Sequence, residues 1–116
     1  MDYEYSVIGS IFCNTEVLAA FATTSEYTYK RYKFSLRKFN EQISVNLCNA
    51  TDCKDIPEAD VAAVCKNLSK KFACTVSMRK GYEVYGNANV FNGGSDYEVI
   101  DEKWFTVEFE NGVQKI

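Results

Sequence analysis

The sequence predicts one α+β domain spanning residues 1–116, on three observations. Apolar and polar residues alternate along 3–13, 27–39 and 42–48, which is the period of half-buried strands. Two stretches, 14–23 and 55–72, switch to helical spacing, and glycine-asparagine clusters punctuate the chain beyond Gly81. The expected order is β-α-β-β-α-β over a core of about 3–80, followed by a β-meander over about 81–116.

Each element has its own justification. In the first strand Tyr3, Tyr5, Val7, Ile11 and Cys13 face inward, and Ser6, Ile8, Ser10 and Phe12 face outward. Asn14 offers an N-cap to a short helix carrying Val17, Leu18 and Phe21. The stretch "EYTYKRYKFSLRKF" (26–39) reads as one strand, joined to "QISVNLC" by a two-residue turn at Asn40 and Glu41. That turn sets Leu36 opposite Val45, Phe34 opposite Leu47 and Lys38 opposite Ile43. The second helix, "DIPEADVAAVCKNLSKKF", places Ile56, Val61, Val64, Cys65, Leu68 and Phe72 on one stripe, with Asp55 and Glu58 spaced as a capping box. Cys74, Val76 and Met78 then alternate as a strand. "YEVY", "DYEVI" and "KWFTVEF" follow between the turn signals "GNAN", "NGGS" and "ENGV", and Asn111-Gly112 is suited to a closing hairpin.

The β-α-β-β-α-β order resembles the ferredoxin-like, or split β-α-β, arrangement over residues 3–78. A ferredoxin-like core with extra carboxy-terminal antiparallel strands is therefore expected. Such a likeness implies topology and carries no activity with it.

Composition narrows the function classes. The chain is 47% hydrophobic with a single proline, too rich in core-forming residues for disorder and too broken by charge for a membrane span. The amino-terminal stretch lacks a basic n-region, and the five cysteines are an odd number, so a cytoplasmic setting with reduced thiols is expected. The absence of histidine excludes Ser-His-Asp triads, Cys-His pairs and HExxH or H-x-E zinc sites. "GNANVFNGG" has neither the lysine nor the spacing of a phosphate-binding loop. Cys48 and Cys53 would supply only two metal ligands, and the acids around Asp55 are accounted for by helix capping. No catalytic set, metal or cofactor is expected, and the protein is read as a non-enzymatic binder.

Charge is uneven although the net is only −3. Residues 30–38 hold five cations and no acid, whereas 83–110 hold seven acids and Lys103 alone. If 26–39 is one strand, Tyr27, Tyr29, Arg31, Lys33 and Arg37 share a basic, aromatic face with Ser44, Asn46 and Cys48. Tyrosine and arginine are enriched at protein hot spots, so this face, or the acidic side around Glu98, Asp101 and Glu102, is the candidate surface for a protein partner. The Asn-, Lys-, Tyr- and Phe-rich composition fits an AT-rich genome. It thus fits a phage or mobile-element accessory protein that modulates or inhibits a host protein or complex. The alternative is a module for single-stranded RNA or DNA using residues 27–37, although "RYKFSLRKF" lacks the glycines of the RRM signature. Oligomeric state stays open.

Overall fold

The computed structural model describes residues 2–88 and 96–115, and the side chains at 2, 87, 88 and 96–98 lie outside that description. The elements are β1 (Asp2–Phe12), α1 (Thr15–Ala20), β2 (Thr24–Tyr29), β3 (Tyr32–Phe39), β4 (Gln42–Leu47), α2 (Ala50–Asp55), α3 (Glu58–Phe72), β5 (Thr75–Ala88), β6 (Asp96–Glu110) and β7 (Val113–Gln114). The seven described strands join one antiparallel sheet in the order β2-β3-β4-β1-β5-β6-β7. The class is α+β, but the ferredoxin-like core is not formed. Between α1 and β4 the chain makes two strands rather than one, and three helices replace the expected two.

The additional strand arises at Lys30, whose φ of 52° turns the chain back on itself, so that Tyr29 pairs with Tyr32 and Tyr27 with Phe34. The expected second helix is divided for an equally local reason. Pro57 disfavours a helical Ile56, which adopts φ −59° and ψ 126°, and α2 must stop at Asp55. Asp55 is therefore a helix end and not half of a capping box, and Pro57 caps α3 with no side-chain hydrogen bond. The α2 N-terminus is capped by Asn49, whose Oδ1 accepts from the amides of Thr51 at 2.9 Å and Asp52 at 3.2 Å.

Other expectations hold. Asn14 caps α1, accepting from the Val17 amide at 2.9 Å. The β3–β4 turn at Asn40 and Glu41 gives the predicted register, Leu36 with Val45 and Phe34 with Leu47. Asn111 and Gly112, with φ of 46° and 85°, reverse the chain into β7. The carboxy-terminal strands are fewer and longer than expected: Gly81 and Gly86 lie inside β5, which pairs antiparallel with β6, with a register shift between Val84 and Tyr85, and β7 pairs with the other edge of β6. Residues 89–95, which include all of the turn signal "NGGS" and the last residue of "GNAN", lie outside the described residues.

The core is built on one sheet face. Val7 and Ile11 of β1, Phe34 and Leu36 of β3, Ile43 and Val45 of β4, and Val76 and Met78 of β5 are sealed from solvent. Ile56, Val61, Val64, Cys65 and Leu68 close over them from the helical side. Burying each such side chain contributes about 1.5–3 kcal/mol before ordering costs. Because strand side chains alternate, every second residue points to the opposite face, on which no described helix packs. No described helix is long and apolar enough to cross a membrane.

Candidate binding surface

The β2–β3 hairpin divides the surface expected from the sequence. Directly opposed residues share a face, so Tyr27 and Tyr29 go with Phe34 and Tyr32 to the helical side. The Tyr27 ring lies 6.5 Å from that of Phe34, its hydroxyl accepts from Asn67 Nδ2 at 3.2 Å, and Lys71 Nζ sits 5.9 Å from its centroid. Lys30 stands 5.6 Å over Tyr29 and pairs with Asp60 at 3.0 Å. Arg31 sits in the turn, with its guanidinium 4.8 Å from the Tyr32 ring and Nη1 3.0 Å from Asp52 Oδ1. A hydrogen bond to Tyr32, together with nearby negative charge, holds Arg31 above its ordinary pKa. Lys33 and Arg37 alone among the basic candidates project from the open face.

The acidic candidates are divided as well. Asp101 lies opposite Val84 on the helical side of the sheet, and Glu102 lies opposite Glu83 on the open side. Glu98 pairs in the backbone with Gly86, and its side chain is outside the described ones. On the open face Glu4, Glu83 and Glu102 stand in one row across β1, β5 and β6. Like charges placed directly opposite one another destabilise a sheet. Tyr85 donates to Glu83 in that row; this bond, desolvation and the three glutamates raise the phenol pKa.

The strand registers assemble the rest of the open face. One row runs Arg37, Ser44, Ser10, Ser77 and Glu108, and the next runs Ser35, Asn46, Ile8, Arg79 and Thr106. The three central serines lie on neighbouring strands about 4.8 Å apart, and their short side chains floor a shallow trough. The trough encloses about 410 Å³ and is lined by Ile8, Ser10, Phe12, Asn46, Arg79 and Thr106, among others. Phe12 and Phe39 flank Gln42 at one end and are 49% and 60% exposed. At the other end the Arg79 guanidinium lies 4.2 Å over the Trp104 ring. That ring packs on Gly81, where a Cβ would fall 2.8 Å from Trp104 Cε3 and 1.9 Å from the Lys103 carbonyl oxygen. Gly81 is therefore a seat for an aromatic ring and not a turn.

Sequence reasoning missed Phe39, Arg79 and Trp104 as surface residues. The outward phase of β1 did place Phe12 on this face. Cys48 and Cys53, considered above as a ligand pair, differ in setting: Cys48 is exposed and continues the open-face phase of β4, while Cys53 belongs to α2 and is buried against the core. Among the described residues no three His, Cys, Asp or Glu side chains are arranged to hold a metal ion. No protein family, curated protein or solved structure matches this chain.

Proposed function

We propose that this chain acts by stoichiometric binding of another protein through the open face of its sheet, modulating or inhibiting a host protein or complex as a phage or mobile-element accessory protein would. The observation that carries the reading is the open face itself: a shallow serine-floored trough rimmed by exposed Phe12 and Phe39, Arg37 and the Arg79–Trp104 stack. Solvent-exposed aromatic rings beside arginines are the composition of protein hot spots. The shallowness of the trough suits a protein surface better than an enclosed substrate.

Charge favours a protein over a nucleic acid. The four cations Lys33, Arg37, Arg79 and Lys115 are outnumbered on this face by the six acids Glu4, Glu26, Glu83, Glu102, Glu108 and Glu110, the last two of which hold Lys115 at 3.6 and 4.0 Å. A phosphate backbone laid across it meets net repulsion. The tyrosines that a base-stacking strand needs, Tyr27 and Tyr29, lie on the other side of the sheet.

The test compares immobilised wild type, a Phe12→Ala/Phe39→Ala/Arg37→Glu variant and a helix-side control, Lys66→Glu/Lys70→Glu, by quantitative capture from host lysate. A partner held by wild type and control but lost from the open-face variant supports the reading. Equal capture by all three, or anisotropy showing single-stranded RNA or DNA bound at physiological salt, overturns it.

A further inference from the structure

We propose that Cys13 and Cys74 form a thiol-oxidation site, a dithiol that a low-molecular-weight disulfide converts into an intramolecular disulfide closing the end of the β1–β5 ladder. Phe12 and Thr75 are the last opposed pair of that ladder, and one step beyond them stand Cys13 and Cys74. Both continue the phase of Ile11 and Val76, so their side chains belong to the helical face, where both pack against the core. Opposed residues in an antiparallel pair hold their Cβ atoms about 4.5–5.5 Å apart, and a disulfide needs about 3.5–4.5 Å, a difference a strand end absorbs.

The surrounding backbone is anchored. The Cys74 amide donates to the Ser69 carbonyl at 3.1 Å, and its own carbonyl accepts from the Asn111 amide at 3.2 Å. Cys13 directly precedes Asn14, the cap of α1. Both cysteines are half-buried, open to a small oxidant yet held in place.

The other three thiols offer no comparable pair. Cys65 is sealed in the core, where its Sγ donates to the Val76 carbonyl at 3.1 Å. Cys48 is exposed just beyond β4, whereas Cys53 is buried on α2, its Sγ donating to the Leu47 carbonyl at 3.6 Å.

The chemistry balances as thiol–disulfide exchange. Burial, with Cys13 beside it, pushes the Cys74 thiol up to about 11, which makes Cys74 a poor first nucleophile, and in the proposed exchange Cys13 attacks first. The Cys13 thiolate attacks one sulfur of RS–SR, the S–S bond breaks, and RS⁻ leaves with the electron pair and takes a proton. Cys74 then loses its proton and attacks the Cys13 sulfur of the mixed disulfide, expelling the second RS⁻. Two protein thiols are oxidised by two electrons, and one RS–SR is reduced to two RSH.

The experiment incubates folded wild-type protein with oxidised glutathione at pH 8.5, blocks remaining thiols with an alkylating agent and maps peptides by mass spectrometry. The expected result is a protein two hydrogens lighter, with three alkylated cysteines, a Cys13–Cys74 cross-linked peptide and a Tm raised by about 10 °C, as closing a long loop does. Cys74→Ser should stop at the glutathione adduct on Cys13. A cross-link between any other pair, a stable adduct on wild type, or five alkylatable thiols after treatment that oxidises dithiothreitol would each overturn the proposal. The wild-type map requires no variant to fold.

Discussion

Alkaline unfolding should depend on Cys65 by an amount the structure sets. This thiol is fully buried between α3 and the sheet, and desolvation pushes it up to about 12 from about 9. In the unfolded chain it ionises from about pH 9, while in the folded chain it stays neutral. Its contribution is therefore complete below pH 9 and is lost as pH rises toward 12. Linkage between these two values gives a loss of about 1 kcal/mol by pH 10 and about 3 kcal/mol by pH 11. Tyrosines and lysines also titrate there, so the assay is a difference: urea unfolding of wild type and Cys65→Ala at pH 7, 10 and 11. Wild type should begin ahead by about 1 kcal/mol, for its hydrogen bond and packing, and finish behind the variant at pH 11. Parallel decline of the two proteins, within about 0.5 kcal/mol, would refute the account of this thiol.

Further tests address the two sheet faces and their seats. Tyr27→Ala should lower stability by about 2–3 kcal/mol in urea titrations, since its ring packs on Phe34, while Arg37→Ala should stay within about 0.5 kcal/mol. The reverse ranking would place the β2–β3 turn wrongly. Gly81→Ala should cost about 2–3 kcal/mol by thermal melting, because the new Cβ meets the Lys103 carbonyl oxygen at 1.9 Å and must part β5 from β6. Phe12→Ala should leave the melting curve nearly unchanged but weaken partner binding roughly 70-fold in titration calorimetry. Covering its exposed half removes about 100 Å² from water, worth about 2.5 kcal/mol. Unaltered affinity would remove Phe12 from the interface.

The elements that sequence reasoning recovered are those whose signals are local and redundant. The β3–β4 register followed from matched alternation on both sides of a two-residue turn, and the α3 stripe from Val61, Val64, Cys65 and Leu68 at helical spacing. The β2–β3 turn was obscured because neither Lys30 nor Arg31 is a residue that favours positive φ, and the basic residues run on through it. Its one trace is a change of phase: the half-buried aromatics are odd-numbered at Tyr27 and Tyr29, and the buried positions are even-numbered at Tyr32, Phe34 and Leu36. The α2 helix is too short for a periodic pattern to show. Gly81 read as a break because its reason for being glycine, the Trp104 ring, is supplied by a strand more than twenty residues away. Among the candidates whose side chains are described, Lys33, Arg37 and Glu102 lie on the open side: the undetected reversal sent Tyr27 and Tyr29, which precede it, to the helical face and set Arg31 in the turn, while alternation along β6 puts Asp101 on the face opposite to Glu102.

Alternation along the strands has an evolutionary corollary. On β1, Ile11 is committed to the interior while its neighbours Ser10 and Phe12 are not, and the same division repeats on β3, β4 and β5. Under the binding role proposed above, folding and recognition occupy interleaved positions of the same segments. A descendant tracking a changing target can rewrite Ser10, Ser35, Arg37, Ser44, Ser77 and Arg79 without disturbing a single sealed side chain. Diversity among relatives under such selection should appear as a comb, with every second residue of four strands variable and the teeth between them nearly fixed.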